Sequence, residues 1–346
     1  MDVKRGEETR KLQITGGSTY IISLPKRWIT QNQLKKGNSI RLREEEGGFL
    51  SIVPSDLLKQ EKSEEAFIRV SPKDNPGAII RKTVSTYLVG YNMIHITVEK
   101  QQQLTARQRN DLKVFARRMF VGTEIVTDTP TELTLQVLLS YPELSVQSAL
   151  RRMCIITSSM HKDAITALRD SDQQLAKSVI ATDDEVDRFS LYVIRQLKTA
   201  IQNLRIIKEI GLTSARDCLG YRLVTKSVER AADHAVSIAE NVLLLKKRPD
   251  QEIMGRMEDM SSMSISMFET SIEALFKQDY NLGESLIEKS KEIVSLEKEA
   301  VSRSQKAGPE ESANMRLIIE SLRRTAEYAS DIAEIVLNLT VESIIG

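Results

Sequence analysis

The feature that most restricts this chain is a repeated run of long helices. From about residue 142 to the C-terminus, apolar residues recur at three- and four-residue spacing with few breaks, the period of an amphipathic helix. The run is a duplication. Ala167-Leu168-Arg169-Asp170-Ser171-Asp172, continued by Leu175, Ser178, Val179 and Ile180, aligns with Ala274-Leu275-Phe276-Lys277-Gln278-Asp279, Leu282, Ser285, Leu286 and Ile287. Further on, Arg230, Ala232, Ala235, Ile238, Ala239 and Glu240 align with Arg324, Ala326, Ala329, Ile332, Ala333 and Glu334. Each copy (142–247 and 251–346) holds three helical stretches: 145–168, 172–202 and 215–245 in the first, 251–276, 282–305 and 309–339 in the second. Such helices, joined by short turns, pack antiparallel as bundles, and ligand sites lie between facing helices. The methionines Met254, Met257, Met260, Met263 and Met267 share one helical stripe, which reads as core rather than as a cofactor site.

One helix of the first copy carries an unusual flank. Val228, Ala231, Ala232, Ala235, Ile238, Ala239 and Val242 form its apolar stripe, and Glu229, Asp233 and Glu240 line up beside it. Like charges at i,i+4 repel by roughly 0.2–0.5 kcal/mol on an exposed helix, so stacked carboxylates beside a core face suggest a bound cation. A second such pair, Asp183 and Asp187, flanks the stripe Val179, Val186, Val193 and Leu197 on the preceding helix. If the two helices are neighbours, Asp183, Asp187, Glu229 and Asp233 make one oxygen-rich site for a hard cation such as iron, manganese, magnesium or calcium, with zinc as an alternative. Two cysteines and three histidines, all scattered, leave oxygen as the available donor. His234 is turned about 100° from Asp233 around the helix and reads as a packing residue. In the second copy Glu229 becomes Arg323, Asp233 becomes Glu327, and Asp183 and Asp187 correspond to Ser290 and Val294. Arg323 and Glu327 can pair at i,i+4, so one metal site per chain is expected. Glu292 or Glu297 are the alternative ligands if the helix register differs by a residue.

The first 55 residues read differently. Residues 1–43 carry ten Lys and Arg against three acids, a net +7 on a chain whose total is +1, and a basic head on a near-neutral body suggests an anionic partner. Short alternating strands are broken by Gly16-Gly17, Lys36-Gly37-Asn38 and Gly47-Gly48, with a helical turn after Pro25. A unit this small buries too little apolar surface alone, so two chains are expected to share one core. After a charged linker at 59–65, residues 62–138 read as an α+β connector of βαβαββ order, with Asn75-Pro76 opening its first helix and Thr105 its second. The second helix is basic (Arg107, Arg109, Lys113, Arg117, Arg118) and reads as solvated, and no catalytic motif is present. His95, between Ile94 and Ile96, reads as a partly exposed strand residue.

Two resemblances join these readings. Ser23-Leu24-Pro25-Lys26-Arg27-Trp28-Ile29, followed by Leu34-Lys35-Lys36-Gly37-Asn38-Ser39-Ile40, resembles the AbrB/SpoVT swapped-hairpin family. That resemblance implies a DNA-binding and dimerisation domain over 1–55, with Arg10, Lys11, Lys26 and Arg27 carried over by position as the DNA contacts. The body (142–346), through Asp183-Asp184-Glu185-Val186-Asp187 and Glu229-Arg230-Ala231-Ala232-Asp233-His234-Ala235, resembles the phosphate-uptake regulators of the PhoU family. This second resemblance implies a duplicated three-helix bundle, an iron or zinc cluster on the Glu/Asp-x-x-x-Asp motifs, and action with the phosphate transporter ATPase or a signalling partner. A head of the one type on a body of the other resembles an archaeal arrangement that couples the sensor directly to DNA.

The expected fold is thus multidomain and mainly α: a swapped-hairpin β module, an α+β connector and a duplicated helical bundle. The expected function is that of a cytoplasmic, DNA-binding transcriptional regulator of phosphate uptake, peripheral at most to the membrane. The alternative is an adaptor whose head serves only to dimerise it. A di-iron carboxylate enzyme is set aside, because no Glu-x-x-His pair accompanies the acids. Apolar runs stop short of 18 residues and the N-terminus is charged, which argues against a membrane span or a signal peptide.

Overall fold

A computed structural model describes residues 8–45, 48–54, 65–99, 101–138, 144–202, 204–306 and 308–345. The linker read at 59–65 lies outside them apart from Glu65. The chain divides into two compact units, 1–64 and 65–346.

In the first unit β1 (Gln13–Thr15) and β2 (Thr19–Ile21) form an antiparallel hairpin. Gly16 and Gly17 turn it at φ of 62° and 80°, a backbone region that glycine enters without a Cβ clash. Pro25 precedes α1 (Lys26–Gln31), and β3 (Ile40–Glu45) pairs antiparallel with β4 (Phe49–Pro54) along its whole length. Large apolar side chains of this unit stay in the open, Tyr20 at 63% and Phe49 at 73% exposure.

The second unit begins with β5 (Glu65–Val70), α2 (Pro76–Val89), β6 (Met93–Val98), α3 (Ala106–Met119), β7 (Thr123–Asp128) and β8 (Glu132–Val137). The sheet order is β5-β6-β8-β7, with one parallel pair, β5 and β6. The sequence places the helix ends. The Asn75 side chain accepts from Gly77 N at 2.8 Å with Pro76 in the first turn, and Thr105 and Gln108 form a capping box, the two devices that satisfy orphan N–H groups at helix starts. Ile79, Tyr87, Leu112 and Ala116 of the two helices share one core with Ile94, Ile96, Leu133 and Leu135 of the sheet.

The helical body follows as α4 (Val146–Asp170), α5 (Gln173–Gln202), a short α6 (Leu204–Glu209), α7 (Ala215–Leu244), α8 (Gln251–Lys277), α9 (Tyr280–Lys289), α10 (Ile293–Ser304) and α11 (Pro309–Thr340). The duplication extends to its turns. Ser171 and Gln278, at aligned positions, both adopt left-handed backbone, with φ of 54° and 53°. After each, an aspartate closes the same bond to the helix just ended, Asp172 N to Ala167 O at 2.9 Å and Asp279 N to Ala274 O at 3.0 Å. Both aspartates then cap the next helix. The stretch expected as one helix over 282–305 is instead broken by a 3-10 turn at Ser290–Glu292. Ser285, Ser290 and Ser295 each donate back to the carbonyl three residues earlier, at 2.7–2.8 Å, and such local bonds compete with the α-helical ladder. Met254, Met257, Met260 and Met267 are buried as core.

The two copies meet mainly through α7 and α11, which run antiparallel and close: a Cβ added at Gly220 would stand 2.9 Å from Leu339. Buried His161 of α4 joins them, its Nε2 2.8 Å from Ala231 O and 3.1 Å from Thr325 Oγ1. Burial pushes its pKa down to about 4. The neutral ring therefore supports folding above its ordinary pKa of 6.5, and that support is lost as pH falls toward 4. The expected loss by pH 4.5 is about 2–3 kcal/mol, read as the change in urea midpoint between pH 7 and 4.5. His161→Gln should flatten that change, and an unaltered slope would remove His161 as its source. Among the described residues no helix is long and apolar enough to cross a membrane.

The α+β connector, with a core of its own, falls in the same compact unit, 65–346, as the helical body. Its anchor is Arg195 of α5, only 5% exposed. The guanidinium donates to Tyr91 O at 2.9 Å, Gly90 O at 3.1 Å, Asn92 Oδ1 at 2.6 Å and Tyr87 O, and lies 4.8 Å over the Tyr87 ring. Tyr87 O and Gly90 O lie at the C-terminal end of α2, where a cation also meets the negative end of the helix dipole. Gly90, at φ of 109°, packs against Thr199 so tightly that an added Cβ would meet its Oγ1 at 2.9 Å.

Candidate functional site

The four carboxylates singled out in the sequence lie near enough to act on one another's charge. Asp183 and Asp187 lie one turn apart in the middle of α5, and Glu229 and Asp233 one turn apart in the middle of α7. Val179 and Val186 of α5 pack with Val228, Ala231 and Ala232 of α7 in the same core, which sets the two acidic flanks side by side. Their electrostatics record the proximity. Burial, then the charges of Asp187, Asp233 and Glu229, push Asp183 up to about 7. Burial, then Glu229 and Asp187, push Asp233 up to about 6 against the opposing pull of Lys226 and Arg230. Asp187 is raised by burial and by Glu229. Asp183 Oδ1 is buried with no hydrogen-bond partner among the described residues.

Two further residues bear on this site, and the sequence reading missed both. Lys226, one turn before Glu229, ion-pairs with its carboxylate, and the i,i+3 spacing is the signal that could have found it. Arg118 of α3 ion-pairs with Asp184, the neighbour of Asp183, a contact no local pattern reveals. Among the described residues no three His, Cys, Asp or Glu side chains are already converged as a metal-ion ligand set. The donor chemistry still fits a hard cation. Carboxylates that raise one another's pKa, one with an orphaned buried oxygen, are what a divalent ion would neutralise. In that role Asp183, Asp187 and Asp233 would hold the ion together with Glu229, once Lys226 has left Glu229.

The second copy fills the same position with a side-chain cation that neutralises its acids. Arg323, in the place of Glu229, lies 3.0 Å from Glu297 and also pairs with Glu327. Ser290 sits in the 3-10 turn and Val294 is exposed. His234 packs at 5.7 Å from the Tyr328 ring on α11, as its turn around the helix predicts.

Arg10, Lys11, Lys26 and Arg27 of the head are all at the surface. Arg10 and Lys11 precede β1, while Lys26 and Arg27 open α1. Arg10 is ion-paired with Glu8.

Comparison with known proteins adds the following. Residues 150–242 and 257–336, half of the chain, match the PhoU domain, and residues 13–59 match "Antidote-toxin recognition MazE, bacterial antitoxin". The "Phosphate-specific transport system accessory protein PhoU homolog" of Aquifex aeolicus is 28% identical over 138 residues, 38% of this chain. The chain spans 58% of that relative's length. The PhoU homolog 1 of Thermotoga maritima is 23% identical over 196 residues, 55% of this chain and 83% of that protein. Among solved structures, the phosphate transport system regulatory protein PhoU from Streptococcus pneumoniae superposes with a TM-score of 0.50 at 18% identity, over 58% of this chain and 96% of that one. PhoU from Pseudomonas aeruginosa does so with 0.51 at 21% identity, over 57% and 96%. Both share the fold of the helical body.

Proposed function

We propose, from the premise that this chain belongs to the PhoU family, that it is a regulator of phosphate uptake that binds DNA through its head. The observation that carries this reading is the union, in one chain, of a PhoU body with a basic head that matches an antitoxin-type domain. Arg10, Lys11, Lys26 and Arg27 stand exposed on a unit of net positive charge, as phosphate contacts require. Exposed Tyr20, Leu42 and Phe49 on the same unit support homodimerisation through residues 1–55, since apolar area of this kind is normally covered. In this reading 62–138 joins the head to the sensing body, and 142–346 responds to a cation held by Asp183, Asp187, Glu229 and Asp233. Iron or zinc leads among the metals, with magnesium, manganese and calcium as further candidates. The names of the relatives support work alongside a phosphate transport system, and in this reading the protein works in the cytoplasm and without catalysis.

The test is DNA occupancy across the genome at high and low phosphate. Enrichment at phosphate-responsive promoters is expected, and none at either condition would leave the adaptor reading, in which the head only dimerises. In vitro, Lys26→Ala with Arg27→Ala should weaken binding about tenfold or more near 0.1 M salt. The log–log salt slope should shrink by about 1.8 for each chain in contact, and an unchanged slope would remove these residues from the interface.

A further inference from the structure

The connector sheet has two edges, and they are built differently. At the β7 edge the register slips between Ile125 and Thr127, a bulge of the kind that discourages strand addition. Among the described residues the β5 edge has no such device. Its six residues, Glu65-Ala66-Phe67-Ile68-Arg69-Val70, keep unbroken register with β6 and contain no proline. A regular edge with an exposed aromatic is one that proteins usually blunt. Phe67 is 64% exposed, lying flat on His95 with ring centroids 4.5 Å apart. The His95 Nδ1 lies 2.8 Å from Glu132 Oε1 and 3.1 Å from Thr134 Oγ1, and its Nε2 lies 3.8 Å from Glu65 Oε2, so Phe67 rests on a fixed platform.

The outward residues of β5 read acid, aromatic, base: Glu65, Phe67, Arg69, all exposed, while Ile68 and Val70 are buried against the helices. This order is self-complementary under a two-fold axis through Phe67. An antiparallel partner strand of the same sequence sets Glu65 opposite Arg69, Phe67 opposite Phe67, and Arg69 opposite Glu65. We propose that β5 pairs antiparallel with β5 of a second copy of this chain, centred on Phe67, joining two four-stranded sheets into one of eight. The pairing is isologous, as a closed dimer requires. Each cross-strand pair is of a stabilising kind, aromatic on aromatic and opposite charge on opposite charge. Shifting the register by one residue would turn the buried face of one strand toward the open face of the other.

Cysteine at the symmetry position tests this in the full chain. Both native cysteines, Cys154 and Cys218, are buried, so mild oxidation of Phe67→Cys should give one disulfide-linked dimer, because directly opposed Cβ atoms lie within bridging reach. In that background Glu65→Arg or Arg69→Glu alone should slow cross-linking about fivefold, and the two together should restore it to within about twofold. Hydrogen exchange at 65–70 should also be slower in the dimer than after Arg69→Glu. A chain that sediments as a dimer yet does not cross-link at position 67 overturns the proposal while leaving dimerisation through the head intact. A monomer at micromolar concentration overturns both. Cross-linking indifferent to the charge exchange overturns the register.

Discussion

Arg195→Ala is expected to destabilise the 65–346 unit by about 3–5 kcal/mol and to lower its melting temperature by about 10 °C. Three carbonyls and the Asn92 side chain converge on this one guanidinium, and its removal leaves the end of α2 with acceptors that water reaches poorly. The bulk of the side chain also fills the space over the Tyr87 ring. Arg195→Lys should recover less than half of the loss, because an ammonium is a point donor and cannot reproduce a planar fork aimed at several acceptors. The effect should also be local. Hydrogen exchange at 87–92 should quicken more than in α7 or α11, since the connector loses its tie while the bundle keeps its core. Arg195→Ala melting within 2 °C of the parent would show that the connector is held by apolar contacts alone.

What the sequence discloses about this molecule divides along one physical line, the range of the interaction. The duplication is legible because it is written in local terms, helical periodicity and the Ser171-Asp172 and Gln278-Asp279 turns that repeat the same capping chemistry. The paired acids are legible for the same reason, as i,i+4 stacks on helices whose apolar faces must meet. Arg195 is not, because it looks like any polar residue on a long helix and its acceptors lie more than a hundred positions away. The break within 282–305 depends on three serine hydroxyls choosing carbonyls over solvent, and serine is common in unbroken helices too. The βαβαββ order of the connector is readable, yet the sheet order that makes β5 an edge is not, because either crossover would satisfy the same alternation.

Occupancy of the carboxylate site should be strongly tied to pH, and the sign follows from Asp183. Its folded pKa of about 7 stands above the ordinary 3.8, so folding without a cation is penalised where Asp183 is ionised. That penalty is complete above pH 7 and relieved as pH falls toward 4. Asp183→Asn should therefore stabilise the metal-free protein at pH 8 by about 1–2 kcal/mol after allowance for solvent screening, and by little at pH 5. A divalent cation should do the same for the parent and release roughly half a proton per site near pH 7, and more near pH 6, because a bound ion favours the ionised carboxylate. Calorimetry in two buffers of different ionisation enthalpy measures that proton directly. Glu229→Ala with Asp233→Ala, which removes half of the carboxylates, should abolish stoichiometric binding of iron(II), zinc or manganese, whereas Arg323→Ala in the second copy should leave it unchanged. Because Lys226 holds Glu229 in the metal-free state, Lys226→Met should tighten binding rather than weaken it. The acidic flank is a metal site if the double variant alone loses the ion and the proton release disappears with it. Equal metal content in parent and double variant would make the flank a strained acidic edge that Lys226 and Arg118 merely offset.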